Sequence, residues 1–392
     1  MRSWLFVLLS LVIHSFEATA QIPAAGDWET ADPGEVGLSA DALALIHEDL
    51  LAGKYGYIDS FLVARHGKIV FEAYYEHDYA LLYEEEAATP GSLVVNDPSG
   101  PYNYFNAWWH PYYRHTTLHS MQSVTKSVVS AIIGIAIAEG VFPDLDTPVL
   151  SFFDADSVAN IDDRKRAMTL RHLLTMSDGL LWDENLPYTD PANSFAIMAK
   201  AHDWVQFTID LPMSQNPGTA FNYNSGATLI LGHIFRQATG IDIEEFAVQH
   251  LFGPLGIEHY YWDRTPFGLA DAQEGLYLST RDLAKITQLF LQNGRWKTGQ
   301  IIPEGWARAS LVPRYPSGAD GEGYGDAWWS QSYSFRGATQ QAYFGKGFGG
   351  QRPILLPELE LVIVLTGWNI LPGQPFFYAT EAINRVTGAL LN

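Results

Sequence analysis

The sequence predicts a mixed α/β fold that is built from both ends of the chain, with an all-helical domain inserted between them. Short apolar strands that form a hairpin lie near the start, and a β-branched strand at residues 361–365 lies near the end. Between about residues 141 and 270 the pattern is that of helices and loops. Since the strands from the two ends bury their apolar faces best in one sheet, the helices between them form the insertion.

The first elements of the α/β part are a helix and a hairpin. Residues 36–53 have helical spacing of their apolar side chains. Residues 61–64 and 69–71 are short apolar strands, and His66-Gly67 marks the turn between them. The stretch from about residue 79 to 117 is rich in aromatic residues and has no clear period. Loops of this length are often functional, so a substrate role and a packed surface flap both remain open for it.

A central buried helix is predicted from Ser123 to Glu139, because this segment is almost wholly apolar on all sides and Gly140 follows it. Thr280 to Asn293 is a second helix, for which Thr280 is the predicted N-cap, and residues 380–391 form a closing helix. The predicted division places the α/β domain at residues 21–140 and 275–392, and the all-helical domain at residues 141–274.

The composition excludes several classes of function. The chain has 392 residues, 47% of them hydrophobic, and a formal net charge of −21. A protein this acidic repels phosphate backbones, which argues against nucleic acid as a partner. The chain contains no cysteine, so disulfides, thiolate nucleophiles and cysteine-based zinc sites are excluded.

The N-terminus predicts export. Arg2 is followed by an apolar run from Trp4 to Ile13 and by the small-x-small pattern Ala18-Thr19-Ala20. These are the parts of a signal peptide over residues 1–20, so we expect a periplasmic or secreted protein with no membrane span after cleavage. An uncleaved anchor is the alternative.

The first chemical motif is Ser123-Val124-Thr125-Lys126. Positions i and i+3 lie on one face of a helix, so the serine hydroxyl and the lysine amine would be neighbours. A serine needs an adjacent base to become a nucleophile, and burial near a helix N-terminus lowers the pKa of a lysine toward that role. The Ser123 N–H at that helix end would face an oxyanion. Taken alone the motif is weak, because Ser-x-x-Lys arises by chance in most chains of this length, and an ordinary helix cap is then the better interpretation.

Two further motifs give the first one its context. Tyr223 stands in a loop before an apolar helix, where its hydroxyl could relay a proton between Ser123 and a leaving group. Residues 345–351 form a glycine-rich stretch before a β-run, which lets a substrate carbonyl approach the backbone closely. Backbone N–H groups of that stretch can complete an oxyanion hole.

In this order, the three motifs resemble the serine β-lactamase and penicillin-binding superfamily. Within it the chain is similar to class C β-lactamases, D-alanyl-D-alanine peptidases, family VIII carboxylesterases and 6-aminohexanoate-dimer hydrolases. Residues 170–179 and 275–284 resemble two further conserved segments of that superfamily. The resemblance implies an antiparallel sheet flanked by helices and a small ester, amide or peptide-like substrate, with no cofactor. It also implies the roles of four residues: Ser123 as acylated nucleophile, Lys126 as base, Tyr223 as catalytic tyrosine, and Phe348, with Ser123, as donor of an oxyanion N–H.

Two departures from the family pattern bear on the substrate. Ser225 stands where class C enzymes have an asparagine, and Gly345 stands at the strand lysine that helps to hold the carboxylate of a β-lactam. A one-residue shift would make Lys346 the equivalent, but Gly347 would then no longer match. Both changes favour an esterase or linear-amide hydrolase. A β-lactamase or D-alanyl-D-alanine carboxypeptidase, and a non-catalytic penicillin-recognition or peptidoglycan-binding module, are the alternatives.

Ser225, Gly347 and Gly349 are candidates for substrate binding because they lie in these motifs. Trp182 and Tyr188 are candidates because the resemblance implies that their loop borders the substrate cleft. For Trp182 and Tyr188, helix capping and packing is the competing interpretation. His110, His115 and His119 are spaced loosely enough to suggest a metal, but no fixed helix or sheet context supports a metal site. A dinucleotide site at the glycine-rich stretch is rejected because no helix follows it.

Overall fold

The computed structural model describes residues 28–89, 91, 93–94, 99–297, 299–317 and 321–391. The predicted signal peptide at residues 1–20 lies outside the described residues, so export remains a prediction. Within the described ranges, no helix combines the length and the apolar character that crossing a membrane requires.

The strands build one large antiparallel sheet and two small ones. The large sheet has the strand order β2-β1-β13-β12-β11-β10-β9-β8, so β1 and β13, from opposite ends of the chain, are paired neighbours within it. The predicted fold class, an antiparallel sheet flanked by helices, is therefore confirmed. In chain order the strands are β1 (Ile58–Arg65), β2 (Lys68–Tyr74), β3 (His119–Ser120), β4 (Tyr261–Trp262), β5 (Leu276–Leu278), β6 (Arg295–Trp296), β7 (Gly299–Gln300), β8 (Tyr315–Pro316), β9 (Gly323–Tyr324), β10 (Trp329–Phe335), β11 (Ala338–Phe344), β12 (Arg352–Leu356) and β13 (Leu361–Gly367).

Helices cover both faces of the large sheet and also fill the middle of the chain. They are α1 (Ala40–Leu51), α2 (Tyr79–Leu82), α3 (Glu84–Ala88), α4 (Thr125–Ala138), α5 (Asp163–Arg166), α6 (Leu170–Leu174), α7 (Ser194–Met198), α8 (Trp204–Asp210), α9 (Ser225–Thr239), α10 (Ile243–Ala247), α11 (Gly253–Leu255), α12 (Thr280–Leu291), α13 (Glu304–Leu311) and α14 (Ala379–Gly388).

The core lies on the two faces of the sheet. On one face, Phe61 and Ile363 pack with α1 and α14, and on the other face Leu62 and Val364 pack with α4 and α12. Every residue of β13 is buried, which is why this strand is a continuous apolar run without alternation. The hairpin turn also forms as predicted, with φ of 52° at His66 and 76° at Gly67.

Three local features differ from the sequence-based expectations. The N-cap of α12 is Ser279, whose Oγ accepts a hydrogen bond from the Asp282 N–H at 3.1 Å, and Thr280 is the first helical residue. The long loop contains the short helices α2 and α3. Strand β4 lies within the segment predicted to be all-helical, and it pairs with β5. The predicted domain division itself remains a prediction.

The central helix is buried as predicted. All residues of α4 from Thr125 to Ala136 are buried, and a 3₁₀ turn over Gln122–Val124 leads into the helix. Gly134 faces the Trp306 ring so closely that a Cβ there would lie 2.3 Å from the ring. This helix therefore fixes its first turn, which carries Ser123 and Lys126, against the rest of the core.

Candidate active site

The serine and lysine of the first motif are hydrogen-bonded to each other. The Lys126 Nζ lies 3.0 Å from the Ser123 Oγ, within the turn that opens the buried helix. Gln122, directly before the serine, adopts a left-handed backbone with φ of 50°. Such conformations store strain and concentrate at functional sites. The bend presents Ser123 at the surface of a cleft while Lys126 stays 2% exposed.

The lysine amine sits in a dry and polar environment. Its second partner is the carbonyl oxygen of Gln273, at 2.9 Å. Burial lowers the pKa of Lys126, and the charges of Glu184, Glu274 and Asp271 oppose that shift. Burial also raises the pKa of Glu274 and of Asp271, which favours neutral carboxyl groups behind the amine. A lysine whose pKa is lowered can serve as a general base.

Tyr223 lies near Ser123 and Lys126 although it is about a hundred residues away in the sequence. It stands in the loop before α9, and Asn224 caps that helix by accepting a hydrogen bond from the Ala227 N–H at 3.2 Å. The Lys126 Nζ lies 5.2 Å from the centre of the Tyr223 ring. Burial raises the pKa of Tyr223, the charge of Glu184 adds to that shift, and the Ser123 and Ser225 side chains oppose it. The phenol is therefore protonated at neutral pH.

The glycine-rich stretch forms a tight turn beside the serine. Gly347 must be glycine, because a Cβ there would lie 2.5 Å from the Gln351 Cβ and 2.6 Å from the Met121 carbonyl oxygen. The turn is closed by a hydrogen bond of 2.9 Å from the Gly347 N–H to the Gln351 carbonyl. Within the described residues, the Phe348 N–H has no hydrogen-bond acceptor. Phe348 lines the same cleft as Ser123, so its N–H remains a candidate donor to an oxyanion.

These groups border one cleft of about 560 Å³, between the glycine-rich turn, the loop after α6 and the segment after β13. Its wall is mostly apolar, with a few polar side chains, as is usual for small-molecule sites. The side chains that line it are Leu93, Ser123, Glu184, Asn185, Pro187, Tyr188, Thr189, Tyr223, Trp329, Lys346, Phe348, Arg352, Asn369, Ile370, Leu371, Pro372, Gln374, Phe376 and Tyr378, together with the backbone of Gly347, Gly349 and Gly373.

The five candidate substrate-binding residues divide into two groups. Gly347, Gly349 and Tyr188 line the cleft, and the Tyr188 and Phe348 rings meet edge to face at 5.1 Å. Trp182 and Ser225 are buried and do not line the cleft, and both donate hydrogen bonds to the carboxylate of Glu184. For these two, the structure favours a supporting position over direct contact with a substrate.

The carboxylate that Trp182 and Ser225 contact belongs to Glu184, which sequence reasoning did not single out as a site residue. Its carboxylate accepts four hydrogen bonds: from the Ser225 N–H at 2.9 Å and Oγ at 2.8 Å, from the Tyr188 hydroxyl at 2.8 Å and from the Trp182 Nε1 at 2.9 Å. It ties the loop after α6 to the start of α9 and places a negative charge near Lys126. The only sequence signal was a carboxylate between two aromatic residues, which is also typical of a packed loop.

The three histidines considered for a metal have separate partners. His110 Nε2 contacts the Pro101 carbonyl at 2.6 Å, and burial lowers its pKa to about 4. His119 Nε2 contacts the Asp59 carboxylate at 2.9 Å, and the His115 ring lies against Trp108. Among the described residues, no group of three or more His, Asp or Glu side chains is arranged to hold a metal ion.

Comparisons with known proteins agree with this architecture. Residues 59–384 match the family model described as Beta-lactamase. The chain is 25% identical over 311 residues to the 6-aminohexanoate-dimer hydrolase of Paenarthrobacter ureafaciens, which covers 72% of this chain and 74% of that protein. It is 32% identical over 145 residues to the ML-236A carboxylate methylbutanoyltransferase of Penicillium citrinum, a match to 36% of this chain and 34% of that protein.

A solved structure of a family VIII carboxylesterase superposes with a TM-score of 0.62 at 15% identity, over 93% of this chain and 98% of that one. At this identity the likeness concerns the fold.

Proposed function

Because the chain belongs to the β-lactamase family, we propose that it is a serine hydrolase that cleaves an ester or amide bond of a small molecule. The observation that carries the proposal is the pair formed by the Ser123 Oγ and the buried Lys126 amine, 3.0 Å apart at the edge of the cleft. A hydroxyl and an amine of lowered pKa at hydrogen-bond distance are what an activated serine requires. Similarity to an amide hydrolase and to the fold of an esterase supports the same class of reaction.

The groups divide the reaction among them as follows. Neutral Lys126 accepts the proton of the Ser123 hydroxyl as its oxygen attacks the substrate carbonyl. The N–H groups of Ser123 and Phe348 donate to the oxyanion of the tetrahedral intermediate. Tyr223 passes a proton to the leaving oxygen or nitrogen and receives the proton held by Lys126, and the intermediate collapses to an acyl-enzyme on Ser123. Lys126, neutral again, accepts a proton from the attacking water, and its return to the Ser123 oxygen releases the acid and restores the serine.

The wall of the cleft favours esters or linear amides over β-lactams. Ser225 is buried at 2% exposure and bonded to Glu184, so it offers no amide side chain to the substrate. Lys346 contacts Glu322 at 2.6 Å and lies 3.9 Å from the centre of the Trp329 ring. The residue nearest in sequence to the family's carboxylate-holding lysine is therefore already paired.

A second candidate is that an alcohol, rather than water, accepts the acyl group. The similarity to a methylbutanoyltransferase over 145 residues favours it. Water and an alcohol would attack the same acyl-enzyme, so the two reactions share every residue named above. Product analysis with and without added alcohols separates them, because acyl transfer yields a new ester and hydrolysis yields only the free acid.

The proposal is tested by covalent labelling of the serine. We expect a fluorophosphonate probe to add one adduct to the intact protein, and the adduct to be lost in Ser123→Ala and retained in Ser130→Ala. Ser130 is the matched control, because it lies in the same buried helix and its Oγ has no hydrogen-bond partner within the described part of the chain. Absence of any adduct on the wild-type protein would support a binding module instead.

Substrate preference is tested by comparing short 4-nitrophenyl esters with the chromogenic β-lactam nitrocefin. We expect ester hydrolysis that Ser123→Ala lowers by at least about 10³-fold, since a missing nucleophile leaves only the contribution of the oxyanion hole and of binding. Faster turnover of nitrocefin than of every ester would contradict the esterase assignment and would indicate a β-lactamase.

A further inference from the structure

Arg352 is a buried cation at the wall of the cleft that the proposed reaction does not use. It is the first residue of β12, directly after the glycine-rich turn, and it is only 9% exposed. Its Nη1 donates to the carbonyl oxygens of Gly347 at 3.1 Å and Gln351 at 2.9 Å. These two bonds fix the plane of the guanidinium, and they use one of its three nitrogen atoms.

The other two nitrogens of Arg352 have no acceptor among the described residues. Neither the Nε–H nor the Nη2 hydrogens donate to an atom at hydrogen-bond distance there, and no carboxylate of those residues lies within 4.0 Å of the guanidinium. The carboxylate that acts on it electrostatically, Glu322, is bonded to Lys346. Arg281 and Arg314, by contrast, are each held on a carboxylate, with Glu72 for the first and Asp326 for the second.

A buried charge without a counter-ion is unfavourable, and burial accordingly lowers the pKa of Arg352 to about 10. The side chain stays charged at neutral pH even so. The Nε and Nη2 groups form the edge of a guanidinium that binds a carboxylate with two parallel hydrogen bonds. The Phe376 ring, 5.8 Å from the guanidinium carbon, shields one face from water and adds a favourable contact for a cation.

We propose that Arg352 is the anchor for a carboxylate of the substrate, which makes the preferred substrates esters or amides that carry a free carboxylate at one end. This inference rests on the proposed hydrolase function and adds a substrate class to it. The cleft between Arg352 and Ser123 has aromatic walls, among them Trp329 and Phe348. The body of the substrate is therefore apolar, and its acidic end lies at Arg352.

The net charge of the protein makes the test specific. A formal charge of −21 repels anions from the molecule as a whole. A preference for anionic substrates would therefore have to arise from a local cation and could not come from the overall field. Lys346 also lines the cleft but is paired with Glu322, which makes it the natural comparison.

The experiment uses two pairs of esters, each differing only in a carboxylate or a carboxamide. In one pair the group is on the acyl side: the mono-4-nitrophenyl esters of suberic acid and of its monoamide. In the other it is on the leaving group: 3-acetoxybenzoate and 3-acetoxybenzamide. Each kcat/KM is divided by the rate of hydroxide-catalysed hydrolysis, which removes differences in intrinsic reactivity. The pair in which the normalised kcat/KM is higher for the carboxylate than for the carboxamide shows which side of the scissile bond meets Arg352.

We expect the carboxylate member of one pair to be preferred by at least about tenfold, because charge-assisted bidentate hydrogen bonds replace a neutral contact. The preference should fall to near unity in Arg352→Gln, be intermediate in Arg352→Lys and persist in Lys346→Gln. A wild-type ratio near one in both pairs would overturn the inference, as would a preference that survives Arg352→Gln or disappears in Lys346→Gln.

Two further results keep the inference separate from the proposed function. If both carboxamides are hydrolysed as fast as the carboxylates, the hydrolase function is supported and the role of Arg352 as a carboxylate anchor is contradicted. Absence of both turnover and labelling at Ser123 would contradict the hydrolase function itself. Should Arg352→Gln fail to fold, product inhibition of the wild-type protein decides the question. 3-Hydroxybenzoate or suberate should then inhibit more strongly than its amide, and equal inhibition in both pairs would contradict the anchor.

Discussion

Replacement of Glu184 by glutamine should move the pH dependence of the reaction without unfolding the site. The carboxylate accepts bonds from two groups that can only donate, the Ser225 N–H and the Trp182 indole, on its Oε2. On its Oε1 it accepts bonds from two hydroxyls, those of Ser225 and Tyr188. The oxygen of a glutamine amide can take the first position, and its NH₂ can donate to the hydroxyls, which also accept. Glu184→Gln thus keeps the hydrogen bonds and removes the charge.

The magnitude follows from the charges around Lys126. Glu184 is the largest of the three carboxyl contributions that raise the pKa of this lysine, in opposition to its burial. A nearby opposite charge shifts a pKa by about 1–3 units, and we expect a shift at the lower end because Glu184 also interacts with four donors. Without that charge the pKa of Lys126 falls further, so the neutral base exists at lower pH. The acid limb of the kcat/KM profile should move down by about one pH unit.

The assay is the initial rate of 4-nitrophenyl butyrate hydrolysis at low substrate concentration across the acid limb, with the non-enzymatic rate subtracted. Glu139→Gln is the matched control, because Glu139 caps the far end of the same helix and faces His250 rather than the cleft. Its acid limb should stay in place. An unchanged or upward-shifted acid limb in Glu184→Gln would refute the assignment of Lys126 as the base and of Glu184 as its electrostatic partner.

Two further predictions concern glycines, and both are measured by urea unfolding. Gly134→Ala should destabilise the protein by about 1–3 kcal/mol, since the new Cβ would lie 2.3 Å from the Trp306 ring. The control Gly305→Ala meets no atom within 4 Å and should stabilise the protein by up to about 1 kcal/mol through helix propensity. Equal effects of the two substitutions would contradict the packing of α4. Gly349→Ala should be more destabilising than Gly373→Ala and should also lower activity, because both have φ of 84° but only Gly349 has a side-chain atom as near as 2.9 Å.

The parts of the fold that the sequence predicted well depend on local patterns. The hairpin turn at His66-Gly67 and the buried helix after Ser123 follow from residues that are neighbours in sequence, and both are confirmed. The N-cap at Ser279 was misplaced by one residue, since a serine and a threonine in succession compete for the same role. Strand β4 was missed because a two-residue strand has no period and exists only through its pairing with β5.

In the candidate site, too, the sequence predicted contacts between residues that are close in the chain better than contacts between distant ones. Ser123 and Lys126 are one helical turn apart, so their contact follows from helix geometry alone. Tyr223 was proposed from its position in a loop and Phe348 from the resemblance alone, because nothing in the intervening sequence indicates that either residue meets Ser123 at one cleft. Glu184 could not be predicted, because its importance arises from donors on two segments, the loop after α6 and the start of α9, that only the folded chain brings together.

The structure of the glycine-rich stretch bears on which residue is equivalent to the family's carboxylate-holding strand lysine, a question that the sequence left open between Gly345 and Lys346. Strand β11 ends at Phe344, but the Gly345 N–H still donates to the Pro353 carbonyl at 2.9 Å, so Gly345 continues the register against β12 into the turn. In the folded chain, Lys346 is turned to Glu322, and a Cβ at Gly345 would lie 3.1 Å from a Val124 methyl group. Neither alignment therefore places an unpaired lysine at the cleft. Among the described residues at the cleft, Arg352, on the strand that follows the turn, is left without a carboxylate partner, so the proposed weak binding of β-lactams and the proposed preference for linear acids would have one structural origin.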